Sequence, residues 1–216
     1  MLEAEKEAVA ATARRLAAEG LVLGSAGNVS AARDGLVAVT PTGAILEQAS
    51  ASDVAIVDLE GRQVDGELAP TSELALHLGA YRRYGAGAVV HTHAPVATAL
   101  SCVLDELPVV HYQMVALGGP VRVAPYATFG TQELADLTLD AMADRSAALM
   151  SNHGTLCIGA DIATALGNSL LLEWAATVYW RASTLGTPRL LDDEQIADYR
   201  RTIVARGYGP LQRTRA

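Results

Sequence analysis

Residues 87–95 read GAVVHTHAP and place two histidines directly after an apolar run. The apolar residues predict a buried strand that ends at His91, and Pro95 is suited to the first turn of a following helix. Side chains at positions i and i+2 of a strand point to the same face, so His91 and His93 can direct their imidazoles toward one point. Taken alone, the pair fits either two metal ligands or two hydrogen-bonded histidines at a strand end.

Two other fragments favour the metal. The stretch Asn152-His153-Gly154 follows the apolar run SAALM as HTH follows GAVV, so His153 could reach the same end of a sheet. Glu73 adds a carboxylate in the first turn of a predicted helix. Three histidines and one carboxylate have the number and type expected of ligands to a divalent metal, most readily zinc.

The other residues near Glu73 have simpler interpretations. Thr71 or Ser72 is the predicted N-cap of the helix that carries Glu73. His77 lies one helical turn after Glu73, and His111 lies in a predicted strand. We interpret both histidines as packing or supporting residues.

The composition limits the class of protein. The chain has 216 residues, of which 50% are apolar, and a formal charge of −8 that argues against a broad nucleic-acid surface. A single phosphate group is still compatible, because backbone amides, hydroxyls and a metal can hold it. The longest apolar stretch is interrupted by Asn168 and Glu173, and the first residues lack a signal-type apolar region. With only two cysteines, these features predict a cytoplasmic protein without membrane spans.

The order of predicted elements is that of an α/β protein, and no repeat or linker divides it, so we expect a single domain over residues 1–216. Strands are predicted at LVAVT, Ala55–Asp58, GAVV, LPVVHYQM, VRVA, and on either side of NHG. Helices are predicted at Glu3–Glu19, after PTSE, and in the segments beginning TQELADL, DIATALG and LDDEQIA. The segments GSAGNVS, PTG and PTSE are predicted loops that could together bind a phosphate.

Seven segments between Gly24 and Gly159 resemble, in order and spacing, the class II aldolase family, and within it the members that act on L-fuculose 1-phosphate. The segments are AGNVS, TPTG, PTSE, VVHTHAP, VVHYQM, APYATFGT and NHG. The resemblance implies a three-layer α/β/α domain around a mostly antiparallel central sheet. It also implies a homotetramer with active sites between neighbouring subunits.

The resemblance assigns a role to individual residues of this chain. It implies one Zn²⁺ per subunit, with Mn²⁺ or Co²⁺ as possible substitutes, bound by Glu73, His91, His93 and His153. Glu73 would also act as the base, and Tyr112 as a catalytic acid contributed across a subunit boundary. The remaining implied residues bind the substrate, six at its phosphate and the last two at its aldehyde end: Gly27, Asn28, Thr42, Gly43, Thr71, Ser72, Phe129 and Tyr208.

The implied reaction is reversible cleavage of L-fuculose 1-phosphate or a related deoxy sugar phosphate into dihydroxyacetone phosphate and a small aldehyde. Zinc would act as a Lewis acid and stabilise the negative charge left on carbon. Lys6 is the only lysine, which disfavours an aldolase that uses a Schiff base. The alternatives are another sugar-phosphate enzyme of the superfamily (a 4-epimerase, methylthioribulose-phosphate dehydratase or decarboxylase) and a non-catalytic, adducin-like interaction domain.

Overall fold

A sheet of nine strands organises the described part of the chain, residues 1–207 of a computed structural model. The strands are β1 (Asn28–Arg33), β2 (Leu36–Val39), β3 (Ala55–Asp58), β4 (Gln63–Asp65), β5 (Ala88–Thr92), β6 (Glu106–Leu107), β7 (Val121–Ala124), β8 (Ala147–Met150) and β9 (Gly154–Gly159). The helices are α1 (Glu3–Ala18), α2 (Leu74–Tyr84), α3 (Pro95–Ser101), α4 (Gln132–Ala141), α5 (Ile162–Leu185) and α6 (Asp193–Arg206). No helix within this range combines the length and hydrophobicity needed to cross a bilayer.

The strand order is β4-β3-β2-β1-β5-β9-β8-β7-β6, and every neighbouring pair is antiparallel except β7 and β8. The prediction of a mostly antiparallel central sheet is therefore confirmed. Because β9 lies between β5 and β8 and opposes both, β5 and β8 run in the same direction and end at one edge. Strand β1 opposes β5, so it begins at that same edge.

Helices cover both faces of the sheet, as the three-layer fold requires. On one face, α1, α3 and α5 pack against strand residues such as Val29 and Val90. On the other face, α2 and α4 pack against residues such as Val89 and Leu156. Successive strand residues alternate between the two cores, which is the expected consequence of the two-residue period of a strand.

One predicted strand is wrong. Of the segment LPVVHYQM, only Leu107 belongs to a strand, and residues Tyr112–Leu117 form a 3-10 helix. Pro108 follows the strand directly and has no N–H with which to continue a ladder. His111 accepts a hydrogen bond from the backbone N–H of Gln113 at the start of the 3-10 helix, so its supporting role agrees with the prediction.

Two further local predictions need correction. Residues 28–30 of the predicted loop GSAGNVS belong to β1, and β4 was not predicted at all. Helix α2 begins at Leu74, with Glu73 in the N-cap position, so neither Thr71 nor Ser72 is its N-cap. The Thr71 hydroxyl instead accepts a hydrogen bond from the Glu73 N–H, at 3.2 Å. The Glu73 side chain makes no capping bond and is free to point elsewhere.

Candidate active site

Three histidines converge at the sheet edge where β5 and β8 end. His91 lies within β5, His93 follows β5, and His153 lies in the turn between β8 and β9. The Nε2 atoms of His91 and His93 are 3.1 Å apart, and the three ring centroids are 4.9–5.0 Å from one another. One ring nitrogen from each histidine lies within 4.8 Å of the others, so the group could hold a metal ion.

The turn that carries His153 depends on its two neighbours. Asn152 has φ of 56°, a left-handed conformation that asparagine tolerates better than most side chains do. Gly154 packs against the end of β5 so closely that a Cβ atom there would overlap the carbonyl oxygen of Thr92. The close approach brings His153 beside His93, whose ring would also lie within 3.2 Å of such a Cβ.

The ring of His91 is held in one tautomer. Its Nδ1 lies 2.8 Å from the carbonyl oxygen of Thr155 on β9. A carbonyl oxygen only accepts, so Nδ1 carries the proton, and the lone pair of Nε2 faces the other histidines. A backbone partner of this kind is typical of histidines that bind metals through the second nitrogen.

Glu73 completes the cluster, and its two oxygens differ. Oε2 accepts a hydrogen bond from Asn28 Nδ2 at 3.0 Å and lies 3.1 Å from His91 Nε2. Oε1 lies 3.4 Å from His153 Nε2 but is buried without a hydrogen-bond partner among residues 1–207. A buried carboxylate oxygen without a donor is costly, and a cation among the three imidazoles would satisfy it. The donor set therefore fits a divalent metal.

The protonation states suit this assignment. Burial raises the pKa of Glu73, but His91, the Asn28 amide and His153 outweigh it and lower the pKa well below its ordinary value. Burial, together with the charges of His91 and His153, lowers the pKa of His93 to about 4. Burial and then His91 also lower the pKa of His153. At neutral pH Glu73 is thus ionised and the imidazoles of His93 and His153 are neutral, which are the forms that bind metals.

A cavity of about 420 Å³ opens over the cluster. Every predicted phosphate-binding residue lines it, as do Glu73, His93, His153 and Phe129. Its lining residues are Ser25, Ala26, Gly27, Asn28, Pro41, Thr42, Gly43, Thr71, Ser72, Glu73, His93, Tyr126, Ala127, Phe129, Asn152 and His153. None of these is Lys or Arg, so an anion bound here would be held by hydroxyls, amides and a metal.

Backbone contacts bring the three loops together. A bridge joins Pro41 and Pro70, and the Thr42 N–H donates to the carbonyl of Ala69 at 3.0 Å. Gly27 has φ of +107°, and a Cβ atom there would lie 2.9 Å from the carbonyl oxygen of His91. Only glycine allows the first loop to approach the histidine strand this closely.

The structure does not bring all the predicted residues to this cavity. Tyr112 lies 46% exposed beside a second cavity of about 510 Å³, with its ring 4.7 Å from that of Tyr199. Tyr208 lies outside the described residues. Six lining residues were not predicted as site residues, and three of them have polar side chains: Ser25, Tyr126 and Asn152. The signal for two of them was their position beside predicted residues, Tyr126 within APYATFGT and Asn152 before His153.

Comparison with known proteins places the chain in a family. The family model described as "Class II Aldolase and Adducin N-terminal domain" matches residues 7–180. The chain belongs to this family.

Individual members of the family match over most of their length. The 5-deoxy-D-ribulose 1-phosphate aldolase of Bacillus thuringiensis serovar kurstaki is 37% identical over 97% of this chain and 99% of its own length. An L-fuculose phosphate aldolase of Escherichia coli is 39% identical over 82% of this chain and 84% of its own. A solved L-fuculose 1-phosphate aldolase superposes with a TM-score of 0.89 and 33% identity, over 93% of this chain and 96% of the other. The predictions of a class II aldolase enzyme and of its fold are confirmed.

Proposed function

We propose that this class II aldolase is metal-dependent and reversibly cleaves a ketose 1-phosphate into dihydroxyacetone phosphate and a small aldehyde. The observation that carries the proposal is the bare Oε1 atom of Glu73, which lies 3.4 Å from Nε2 of His153 in the three-histidine cluster, below a cavity lined by hydroxyls and amides. In such a site, a metal, a base and phosphate-binding groups could all contact one small molecule.

The metal would be held by Glu73, His91, His93 and His153, and Zn²⁺ suits this nitrogen-rich set, with Mn²⁺ or Co²⁺ as substitutes. The chemistry that such an ion supplies is Lewis acidity, which stabilises the negative charge that carbon–carbon cleavage leaves on carbon. Incoming substrate would displace Glu73 from the metal, and its burial and its hydrogen bond from Asn28 would keep the released carboxylate close to the reacting carbon.

Proton transfer would be divided between two residues. In the condensation direction, Glu73 takes the proton from the carbon beside the carbonyl of dihydroxyacetone phosphate. Tyr112 of a neighbouring subunit donates its proton to the aldehyde oxygen, and cleavage reverses both transfers. Two subunits are needed because Tyr112 does not line the cavity that holds Glu73 in the same chain. The resemblance to the family implies a homotetramer, which is the proposed working form, and the cytoplasm is its proposed location.

The remaining residues position the substrate. Hydroxyls and backbone amides of the loops at Gly27–Asn28, Thr42–Gly43 and Thr71–Ser72 would grip the phosphate and so align the reacting carbons. Phe129 lines the same cavity and would face the aldehyde end, and Tyr208 is assigned to the same end by the resemblance.

A deoxy sugar phosphate is the proposed substrate, with 5-deoxyribulose 1-phosphate as the first candidate and L-fuculose 1-phosphate as the second. The support for that order is the 5-deoxyribulose 1-phosphate aldolase that matches nearly the whole chain.

The test is a cleavage assay with 5-deoxyribulose, L-fuculose and ribulose 1-phosphates, in which released aldehyde and dihydroxyacetone phosphate are both measured. The metal content is determined on the same sample. We expect equimolar products and a stoichiometric divalent metal. An epimerised, dehydrated or decarboxylated product without aldehyde would identify another reaction of the superfamily, and protein that binds no metal even after zinc addition would identify a non-catalytic domain.

A matched pair of variants tests the assigned base. Glu73→Gln keeps the shape of the side chain and removes its charge, so we expect cleavage to fall by about 100-fold or more. Glu67→Gln makes the same chemical change at an exposed position outside the cavity and should leave the rate unchanged. Equal rates for the two variants would contradict the role of Glu73.

A further inference from the structure

A row of buried polar side chains runs from Glu73 into the interior of the protein. Tyr81 Oη is 2.5 Å from Ser30 Oγ, and Ser30 Oγ is 2.6 Å from His77 Nδ1. His77 Nε2 is 2.5 Å from Asn28 Oδ1, and Asn28 Nδ2 is 3.0 Å from Glu73 Oε2. Each of these five residues is at most 7% exposed. The row therefore links the carboxylate to the interior of the protein without solvent.

The row forms because the spacing of side chains along α2 matches their spacing along β1. Glu73, His77 and Tyr81 are spaced by four along α2 and its N-cap, which is a rise of about 6 Å per step. Asn28 and Ser30 are spaced by two along β1, which is about 6.6 Å per step. Each strand side chain therefore fits between two successive helix side chains, and the two elements share one continuous line of hydrogen bonds.

The direction of every hydrogen bond in the row follows from the carboxylate at its end. Ionised Glu73 can only accept, so Asn28 presents its NH₂ group to Glu73 and its carbonyl oxygen to His77. His77 Nε2 must then donate, which leaves Nδ1 as the acceptor for the hydroxyl of Ser30. Tyr81 in turn donates to Ser30. The opposite orientation of the Asn28 amide would place two acceptor oxygens about 3 Å apart in a buried site, at a cost of a lost bond and a repulsive contact.

We propose that His77 is a positioning residue for the metal-binding carboxylate. As the neutral Nε2–H tautomer it locks the Asn28 amide, so that Asn28 donates to Oε2 of Glu73 and Oε1 is left without a donor, facing His153. The inference rests on the proposed role of Glu73 as ligand and base. It assigns a function to a histidine that neither lines the cavity nor belongs to the metal-binding group.

The first test is the tautomer itself, measured on metal-free protein by long-range ¹H–¹⁵N correlation of the imidazole nitrogens. The chain has only five histidines, and the His77 signal is the one lost in His77→Gln. We expect His77 to carry its proton on Nε2 and His91, as an internal contrast, on Nδ1. An Nδ1–H tautomer at His77 would overturn the proposal. This measurement requires no substrate, so it stands even if no ketose phosphate is cleaved.

The second test uses two isosteric variants that separate the two ring nitrogens. The amide nitrogen of His77→Gln can take the place of Nε2 and donate to Asn28, whereas the shorter amide of His77→Asn reaches only the place of Nδ1. We expect the affinity for Zn²⁺, measured by chelator competition, to fall by about tenfold or more in His77→Asn. His77→Gln should largely restore it, and kcat should follow the same order.

A control variant and the thermal midpoint separate positioning from simple loss of stability. Tyr81→Phe removes the far end of the row but leaves the Ser30 hydroxyl to donate to His77, so its Zn²⁺ affinity should stay near that of the unsubstituted protein. Equal Zn²⁺ affinities for His77→Gln and His77→Asn, whether both low or both unchanged, would overturn the proposal. If one of the two variants fails to fold, the other still assigns the His77 signal by its loss, and the tautomer of the unsubstituted protein decides.

Discussion

At the scale of the residue, the two oxygens of Glu73 do different work because their surroundings differ. Oε2 is held by the Asn28 amide and faces His91, whereas Oε1 has no donor and faces His153. A carboxylate that is held at one oxygen and has no hydrogen-bond donor at the other can bind a cation or a proton without breaking its existing hydrogen bond. This asymmetry is what allows one side chain to be proposed as both ligand and base.

The buried histidines predict how the stability of the metal-free protein depends on pH. Burial lowers the pKa of His77 to about 3 and that of His93 to about 4, from about 6.5 in an unfolded chain. The unfolded state therefore binds protons first as the pH falls, so stability is complete above pH 6.5 and is lost progressively toward pH 4 and below. Each such histidine contributes a slope of about 1.4 kcal/mol per pH unit.

Urea unfolding of chelator-treated protein between pH 7 and pH 5 measures this slope. Glutamine does not titrate, so we expect His77→Gln to reduce the slope of unfolding free energy against pH. The reduction should be at most the contribution of one proton, about 1.4 kcal/mol per pH unit. His111→Gln should change the slope less, since His111 is only partly buried and its pKa is lowered by a weaker burial effect. A free energy of unfolding that is constant across this range would contradict the prediction.

Residue types and spacing were enough to choose the candidate metal-binding residues, because HTH and NHG each follow an apolar run. They were not enough to find the hydrogen bond between Asn28 and His77. That contact depends on which residue of β1 faces which turn of α2, and this register is set by packing across the sheet. The sequence therefore identified the candidate metal-binding group but not the polar side chains that support Glu73.

At the scale of the element, strands with apolar runs were predictable and strands rich in polar residues were not. Strand β8 is a continuous apolar run and β5 begins with one, and these runs identify both strands. Strand β1 carries Asn28 and Ser30 on its α2 face, so it resembles a polar loop, although both side chains are buried and hydrogen-bonded. Strand β4 is a short, largely exposed edge strand, and it has no apolar run to identify it.

Gly154, at the start of β9, packs tightly against Thr92 at the end of β5, and this contact yields a prediction at the scale of the element. Gly154→Ala adds a methyl group that overlaps the carbonyl oxygen of Thr92, so the strand ends must separate and His153 must shift from His93. We expect a loss of stability of about 1–3 kcal/mol together with weaker Zn²⁺ binding. Thermal unfolding and chelator competition on the same sample measure the two effects.

Gly167→Ala is the matched control. Gly167 lies on α5 with open space where a Cβ would be added, so alanine should stabilise the helix by up to about 1 kcal/mol and leave metal binding unchanged. The two glycine substitutions are therefore expected to have opposite signs. A stability gain in Gly154→Ala would show that the strand contact is not as tight as the structure has it.

At the scale of the whole molecule, the chain alone presents an incomplete proposed site. Glu73 and the histidines lie at one cavity, whereas Tyr112 lies beside another, near α5 and α6. Residue patterns within one chain do not report contacts between copies, so the assembly was predicted only through resemblance to the family. The separation of the two residues nevertheless makes the assembly testable through activity.

Subunit complementation provides that test. Glu73→Gln and Tyr112→Phe should each be nearly inactive as pure assemblies, because every site then lacks its base or its acid. After the two variants are mixed in equal amounts, dissociated and reassociated, a site is intact where the Glu73 of a Tyr112→Phe subunit meets the Tyr112 of a Glu73→Gln subunit. Random assembly of a cyclic tetramer gives this combination at about a quarter of the sites, so activity should return to about 25% of that of the unsubstituted protein. Mixing without dissociation is the control and should recover none. If Tyr112 and Glu73 served a site in the same chain, reassociation would restore nothing, whereas recovery near a quarter requires sites built from two neighbouring subunits.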